Sequence, residues 1–157
     1  MDDRRTIFSP DRAHRYTLWR EFDLTNSDFV QFIGLNPSTA DEVQDDPTVR
    51  RCIDFAKRWG FGALCMTNIF GFRATDPRVM KAHPEPIGPD NDAWLARIAA
   101  GAGLVVAAWG THGVFMDRGR AVQSYLHNLS CLGTTKDGSP RHPLYVRADT
   151  QPLPFGR

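Results

Sequence analysis

Leu104-Val105-Val106-Ala107-Ala108-Trp109 is an uncharged apolar run of strand length, and it follows residues 90–100, where Trp94, Leu95 and Ile98 mark one side of a helix. A short apolar run without polar alternation is the pattern of a strand buried on both faces. The same sequence of helix and buried strand recurs on either side of it. Residues 29–35 (FVQFIGL) form a second dense run, and residues 63–69 (ALCMTNI) a third. Between these two, Val49, Ile53, Ala56 and Trp59 recur at helical spacing and predict a helix over residues 47–59. Asp46 suits its cap, Pro47 its first position and Gly60 its stop. Downstream, residues 117–127 read as a helix with Val122, Tyr125 and Leu126 inward, and residues 129–133 as a short last strand. Residues 15–22 (RYTLWREF) mix polar and apolar positions in alternation, which predicts an antiparallel or edge strand.

Strands alternating with helices of this length imply βαβ units. The expected fold is therefore α/β: a three-layer α/β/α arrangement with a central, mainly parallel four-stranded sheet and an N-terminal edge strand. It forms one domain over residues 1–157. Residues 36–46, 70–77 and 134–147 are the polar loops, and the tail from residue 150 is irregular.

Composition narrows the function classes. The chain carries a net charge of +1 over 157 residues, whereas dedicated nucleic-acid binders carry a strong basic excess. Only Arg50, Arg51, Lys57 and Arg58, on the first helix, form a local basic cluster. No apolar run reaches the roughly 18 residues of a membrane span, and Met1 to Arg5 lack the apolar stretch of a signal peptide. Cys52, Cys65 and Cys131 are far apart in apolar settings, as expected of buried reduced thiols in a cytoplasmic protein. There is no phosphate loop, no GxGxxG after a strand, no GxSxG, no HExxH and no zinc spacing of Cys and His. No cofactor, metal or metal cluster is expected, and a monomer is. The acidic run Asp41, Glu42, Asp45 and Asp46 reads as a solvated loop ending in a helix cap, in preference to a divalent-ion site.

Sites of parallel sheets lie beyond the carboxyl ends of the strands. That rule nominates Gly34-Leu35-Asn36-Pro37-Ser38, Thr67-Asn68-Ile69-Phe70, Trp109-Gly110-Thr111-His112 and Ser139-Pro140-Arg141-His142-Pro143. Gly34-Leu35-Asn36-Pro37 resembles the first motif of the uracil-DNA glycosylase superfamily. Residues 66–77 (MTNIFGFRATDP) resemble the segment that carries a base-reading Asn in that superfamily's iron–sulfur branch. Trp109-Gly110 resembles the end of its next strand, and His142-Pro143 its closing His-Pro motif. The four matches occur in the family's order over residues 29–146. Ser38, Leu144 and Tyr145 depart from its pattern, and the iron–sulfur branch's four cysteines are missing. The wording GLNPSTAD also resembles an uncharacterised bacterial family of unknown function.

The resemblance implies a glycosylase-like hydrolase that recognises a nucleobase and cleaves its N-glycosidic bond. Asn36 orients the water by hydrogen bonds, since an amide is not a base. His142 donates to the departing base, whose negative charge must be stabilised. Asn68 pairs with the base edge through its donor and acceptor. Gly34, Leu35, Pro37, Ser38 and Gly110 shape the pocket, Phe70 or Phe72 stacks on the base, and Arg73 and Arg141 contact phosphate of DNA or of a nucleotide. Each residue has a plainer reading too. Asn36-Pro37 is a turn dipeptide, Asn68 a loop brace, His142 a surface residue, and Phe70 and Phe72 core aromatics; His112 is a bland neighbour of the pocket. Two rival functions stand beside the glycosidase: an enzyme acting on a free nucleotide, nucleoside or small metabolite, and a non-catalytic module that binds a base or nucleic acid.

Overall fold

The computed structural model describes residues 4–156. β3 (Phe29–Gly34), β4 (Ala63–Asn68), β5 (Leu104–Ala107) and β6 (Ser130–Cys131) run parallel. Their spatial order is β4-β3-β5-β6. Antiparallel strands extend this core on both sides into a mixed seven-stranded sheet. β2 (Arg15–Glu21) pairs with β4, β1 (Ile7–Phe8) with β2, and β7 (Leu153–Pro154) with β6.

Two expectations change here. The strand expected at the N-terminal edge is β2, which lies between β1 and β4 and is buried along most of its length. The sheet is also wider than the expected four strands and one edge strand, because β1 adds outside β2 and the 150–156 tail adds β7 instead of staying irregular. Phe155 N–H donates to Leu129 O at 2.9 Å, and the Phe155 ring meets Trp109 edge-on at 5.8 Å.

Alternation along β3 assigns the two layers that cover the sheet. Val30 and Phe32 pack with Val49, Cys52, Phe55 and Ala56 of α1 (Pro47–Arg58). Ile33 packs instead with Met80 of α2 (Pro77–Ala82), Leu95 of α3 (Asn91–Gly101) and Val122 of α4 (Arg118–Gln123). Gln31 lies fully buried on that second side, and its Nε2 donates to Thr67 Oγ1 at 3.1 Å. α1 begins as its sequence dictates: Asp46 accepts from Val49 N–H at 2.9 Å, and Pro47 opens the first turn. α2 begins at Pro77, the last residue of the stretch expected as a loop; its cap is Asp76, which accepts from Arg78 N–H. α4 is shorter than the helix expected over residues 117–127, and a 3-10 segment over Thr111–Asp117, kinked at Phe115 and Met116, precedes it. The three cysteines are free and buried, and no helix among the described residues is long and apolar enough to cross a membrane.

Candidate functional site

The loops after β3, β4 and β5 and the 134–147 loop surround one cleft of about 600 Å³. Asn36, Asn68, Gly110 and His142, predicted separately after four different stretches, all line it. So do Gly34, Leu35, Pro37, Ser38, Arg141 and His112. Phe32, Val49 and Met66 contribute apolar lining.

Asn36 is oriented by its own loop. Its Nδ2 donates to Ala74 O at 2.8 Å, Pro37 O at 3.2 Å and Phe72 O at 3.4 Å. All three partners are carbonyls, so the amide nitrogen must face them. Its Oδ1 is left as an acceptor, with no donor to it among the described residues.

Asn68 is almost fully buried, at 4% exposure, and its Nδ2 has no hydrogen-bond partner among the described residues. Strand register explains how it is held. Gly34 lies opposite Asn68 across the parallel β3–β4 pair, and a Cβ at position 34 would come within 2.7 Å of Asn68 Oδ1. Behind it, Asn91 Nδ2 donates to the Asn68 carbonyl at 2.8 Å. A buried amide N–H without an acceptor costs about 1–3 kcal/mol.

His142 heads a 3-10 turn over Pro143–Tyr145, and its Nδ1 accepts from Leu144 N–H at 3.1 Å. An acceptor at Nδ1 requires the neutral ring to carry its proton on Nε2. Burial pushes the imidazole pKa below its ordinary value, with Asp46 acting in the opposite sense. The ring is therefore neutral near pH 7 and donates from Nε2. Gly110 ties this loop to β5: its N–H donates to Pro140 O at 2.8 Å, and its φ of +72° favours glycine.

Three of the expected site residues lie elsewhere. Phe70 is fully buried in the core beside Ile33, Met80 and Leu95, with Phe115 at 5.6 Å. Phe72 stacks on His83 at 3.8 Å. Arg73 donates to Arg12 O at 3.2 Å and lies over the Phe8 ring. None of the three lines the cleft, because the chain turns back against the N-terminal segment directly after β4. Arg73 N–H bonds Ala13 O there, at 3.0 Å.

Two lining residues carry charges that pattern reasoning did not assign to the site. Arg15 is 2% exposed; its Nη1 donates to Ala40 O at 3.0 Å, and its Nε has no partner among the described residues. Burial pushes its pKa down to about 10, against the pull of Asp46. Asp46, 8% exposed, is the cap of α1 and also the acidic residue of the lining. Arg15 heads an alternating strand, which reads as a solvent-facing position; the 36–47 loop reaches over it through Ala40 O, and Phe8 and Gly71 flank its backbone. For Asp46 the sequence signal was the cap, and the cap is real.

Of the rest of the acidic run, Asp41 accepts from Val43 and Gln44 N–H, and Glu42 and Asp45 are held by arginines. Arg12 forks onto Glu42 at 2.8 and 3.0 Å, and Arg20 meets Asp45 at 2.7 Å. No group of three or more His, Cys, Asp or Glu among the described residues is placed to hold a metal ion. In the basic cluster of α1, Arg50 donates to Asp45 O, Arg58 pairs with Asp54, Arg51 donates to Val146 O, and Lys57 lies over Phe22.

A parallel strand core with a cleft at its carboxyl ends places the chain among α/β architectures. Within that class the chain belongs to the protein family of unknown function DUF1643, whose model matches residues 15–144. The match runs from the start of β2 to Leu144, and so includes every cleft residue discussed above. No curated protein and no solved structure matches the chain.

Proposed function

We propose that the cleft binds a nucleobase and hydrolyses its N-glycosidic bond, the activity implied by the resemblance to uracil-DNA glycosylases. The observation that carries this reading is the buried Asn68 amide, whose Nδ2 lacks a partner inside a cleft it shares with a neutral, Nε2-protonated His142. An amide offers a donor and an acceptor side by side, which matches the edge of a base. In the reaction the C1′–N bond breaks and its electron pair leaves with the base. His142 Nε2–H donates to the oxygen on which that charge collects. A water hydrogen-bonded to Asn36 Oδ1 attacks C1′, and the proton it releases ends on the departed base. The Asp46 carboxylate favours the positive charge that develops on the sugar, a role Asn36 cannot fill.

The test is incubation with single-stranded and duplex DNA containing uracil, hydroxymethyluracil or hypoxanthine, and with the matching nucleosides and nucleoside monophosphates. Free base and abasic sites are then quantified. The reading expects base release that falls about 10²- to 10³-fold in His142→Ala and in Asn36→Ala, mainly in kcat. Binding through Asn68 with no release from any substrate would instead make the protein a non-catalytic base-binding module.

A further inference from the structure

Arginine is rarely buried without a counter-charge, because a desolvated guanidinium needs one. Arg15 breaks that pattern. It is 2% exposed and lines the cleft, yet no carboxylate among the described residues lies within ion-pair distance of it. One carbonyl, Ala40 O, accepts from Nη1, and Nε has no partner. Asp46 acts on it by charge alone, while Arg73 and Arg20 oppose it. One oxygen of the Asp46 carboxylate accepts from Val49 N–H. Beside it, Pro47, Thr48 and Val49 bring the N-terminus of the 12-residue helix α1 to the same wall, and a helix N-terminus favours an anion. Arg141 adds a second guanidinium at the exposed rim.

From these positions we infer that the cleft holds an anion subsite at Arg15, and that it receives the phosphate of a free nucleoside monophosphate. This rests on the proposed base recognition by Asn68 and names the substrate class of that same site. A polymer disfavours such a subsite. An internal phosphodiester must enter and leave with a nucleotide on each side, along a surface, whereas Arg15 is an internal group that suits a chain end. A terminal phosphate also carries more charge than a diester and uses a fork of N–H donors more fully. The chain's net charge of +1 and the local commitments of the α1 basic cluster agree with a small ligand.

Titration calorimetry on the full chain tests this with four probes sharing one base: the nucleoside, its 5′-monophosphate, a short single-stranded oligonucleotide without terminal phosphate, and inorganic phosphate. The monophosphate is expected to bind at least about 30-fold more tightly than the nucleoside or the oligonucleotide. R15Q should remove most of that difference and R15K should retain part of it, which separates loss of charge from loss of fold. Equal affinity for nucleoside and monophosphate, or a ratio unchanged in R15Q, overturns the anion subsite and leaves base recognition standing. Inorganic phosphate bound through Arg15 with no nucleoside binding keeps the subsite and overturns base recognition. An oligonucleotide that binds as tightly as the monophosphate overturns the free-nucleotide assignment.

Discussion

Gly34 and Asn68 show how one missing Cβ can organise a site. Their register across β3 and β4 packs the Asn68 amide against bare backbone. Gly34→Ala drives a methyl into Asn68 Oδ1, so it should destabilise the protein by about 1–3 kcal/mol, as overpacking does. It should also weaken ligand binding as much as Asn68→Ala does; denaturant melts and binding titrations on the two variants read both effects. His142 makes a prediction in pH. Its folded pKa lies below the ordinary 6.5, so the unfolded chain takes up more protons as pH falls through that value. Stability should therefore decline below about pH 6.5 as this group demands a proton the fold resists. His142→Gln should flatten that part of the stability–pH curve, and an unchanged slope would remove His142 as its source. Of the cleft residues, Asn36, Asn68 and Gly110 were legible in the sequence because each follows or ends a recognisable strand, and His142 because it stands before Pro143 in a long polar loop, as in the His-Pro motif it resembles. Phe70 and Phe72 were misplaced because an aromatic after a strand reads alike whether it faces a pocket or the core. Arg15 was invisible to periodicity, since its burial comes partly from a loop 20 or so residues away in sequence.

At the scale of elements, α1 both supports the sheet and presents its N-terminus to the cleft. Asp46 serves the two purposes with one side chain: it caps Val49 N–H and sets a carboxylate in the lining. Two substitutions separate these roles. Asp46→Ala removes the cap and should cost about 0.5–2 kcal/mol of stability. Asp46→Asn keeps a capping oxygen, so its melting temperature should stay near wild type while any base-release rate falls with the lost charge. A large drop in melting temperature for Asp46→Asn would show that the charge, and not the cap, supports the helix. Elements were readable in proportion to their burial and length. β3 and the 104–109 run announce themselves because both faces of the strand are covered. β1 and β7 are two residues each, too short for any period to appear, and α2 is six residues held by a cap and tertiary packing. The polar–apolar mixture of β2 correctly marked an antiparallel strand, yet its outer neighbour β1 could not be foreseen, so β2 was placed at the edge.

The whole molecule places its reactive groups unevenly. Cys52, Cys65 and Cys131 are all buried and free, and burial raises the thiol pKa of Cys52 and Cys65. A thiolate-selective reagent should therefore find no fast-reacting cysteine in the native protein and three after denaturation. A rapidly labelled native thiol would mean that one of the covering layers opens. The cleft, by contrast, gathers two arginines, one aspartate and two histidines where three parallel strands end. Under the proposed function, the unpartnered Asn68 amide meets the edge of a base. The most direct measurement follows the Asn68 side-chain NH₂ signal by NMR, assigned through its loss in Asn68→Asp, while free uracil or hypoxanthine is added. The account predicts a saturable shift of that signal as Nδ2 gains an acceptor, with the Asn36 NH₂ signal, already held by three carbonyls, moving far less. An Asn68 signal that stays in place at every concentration of both bases would contradict it.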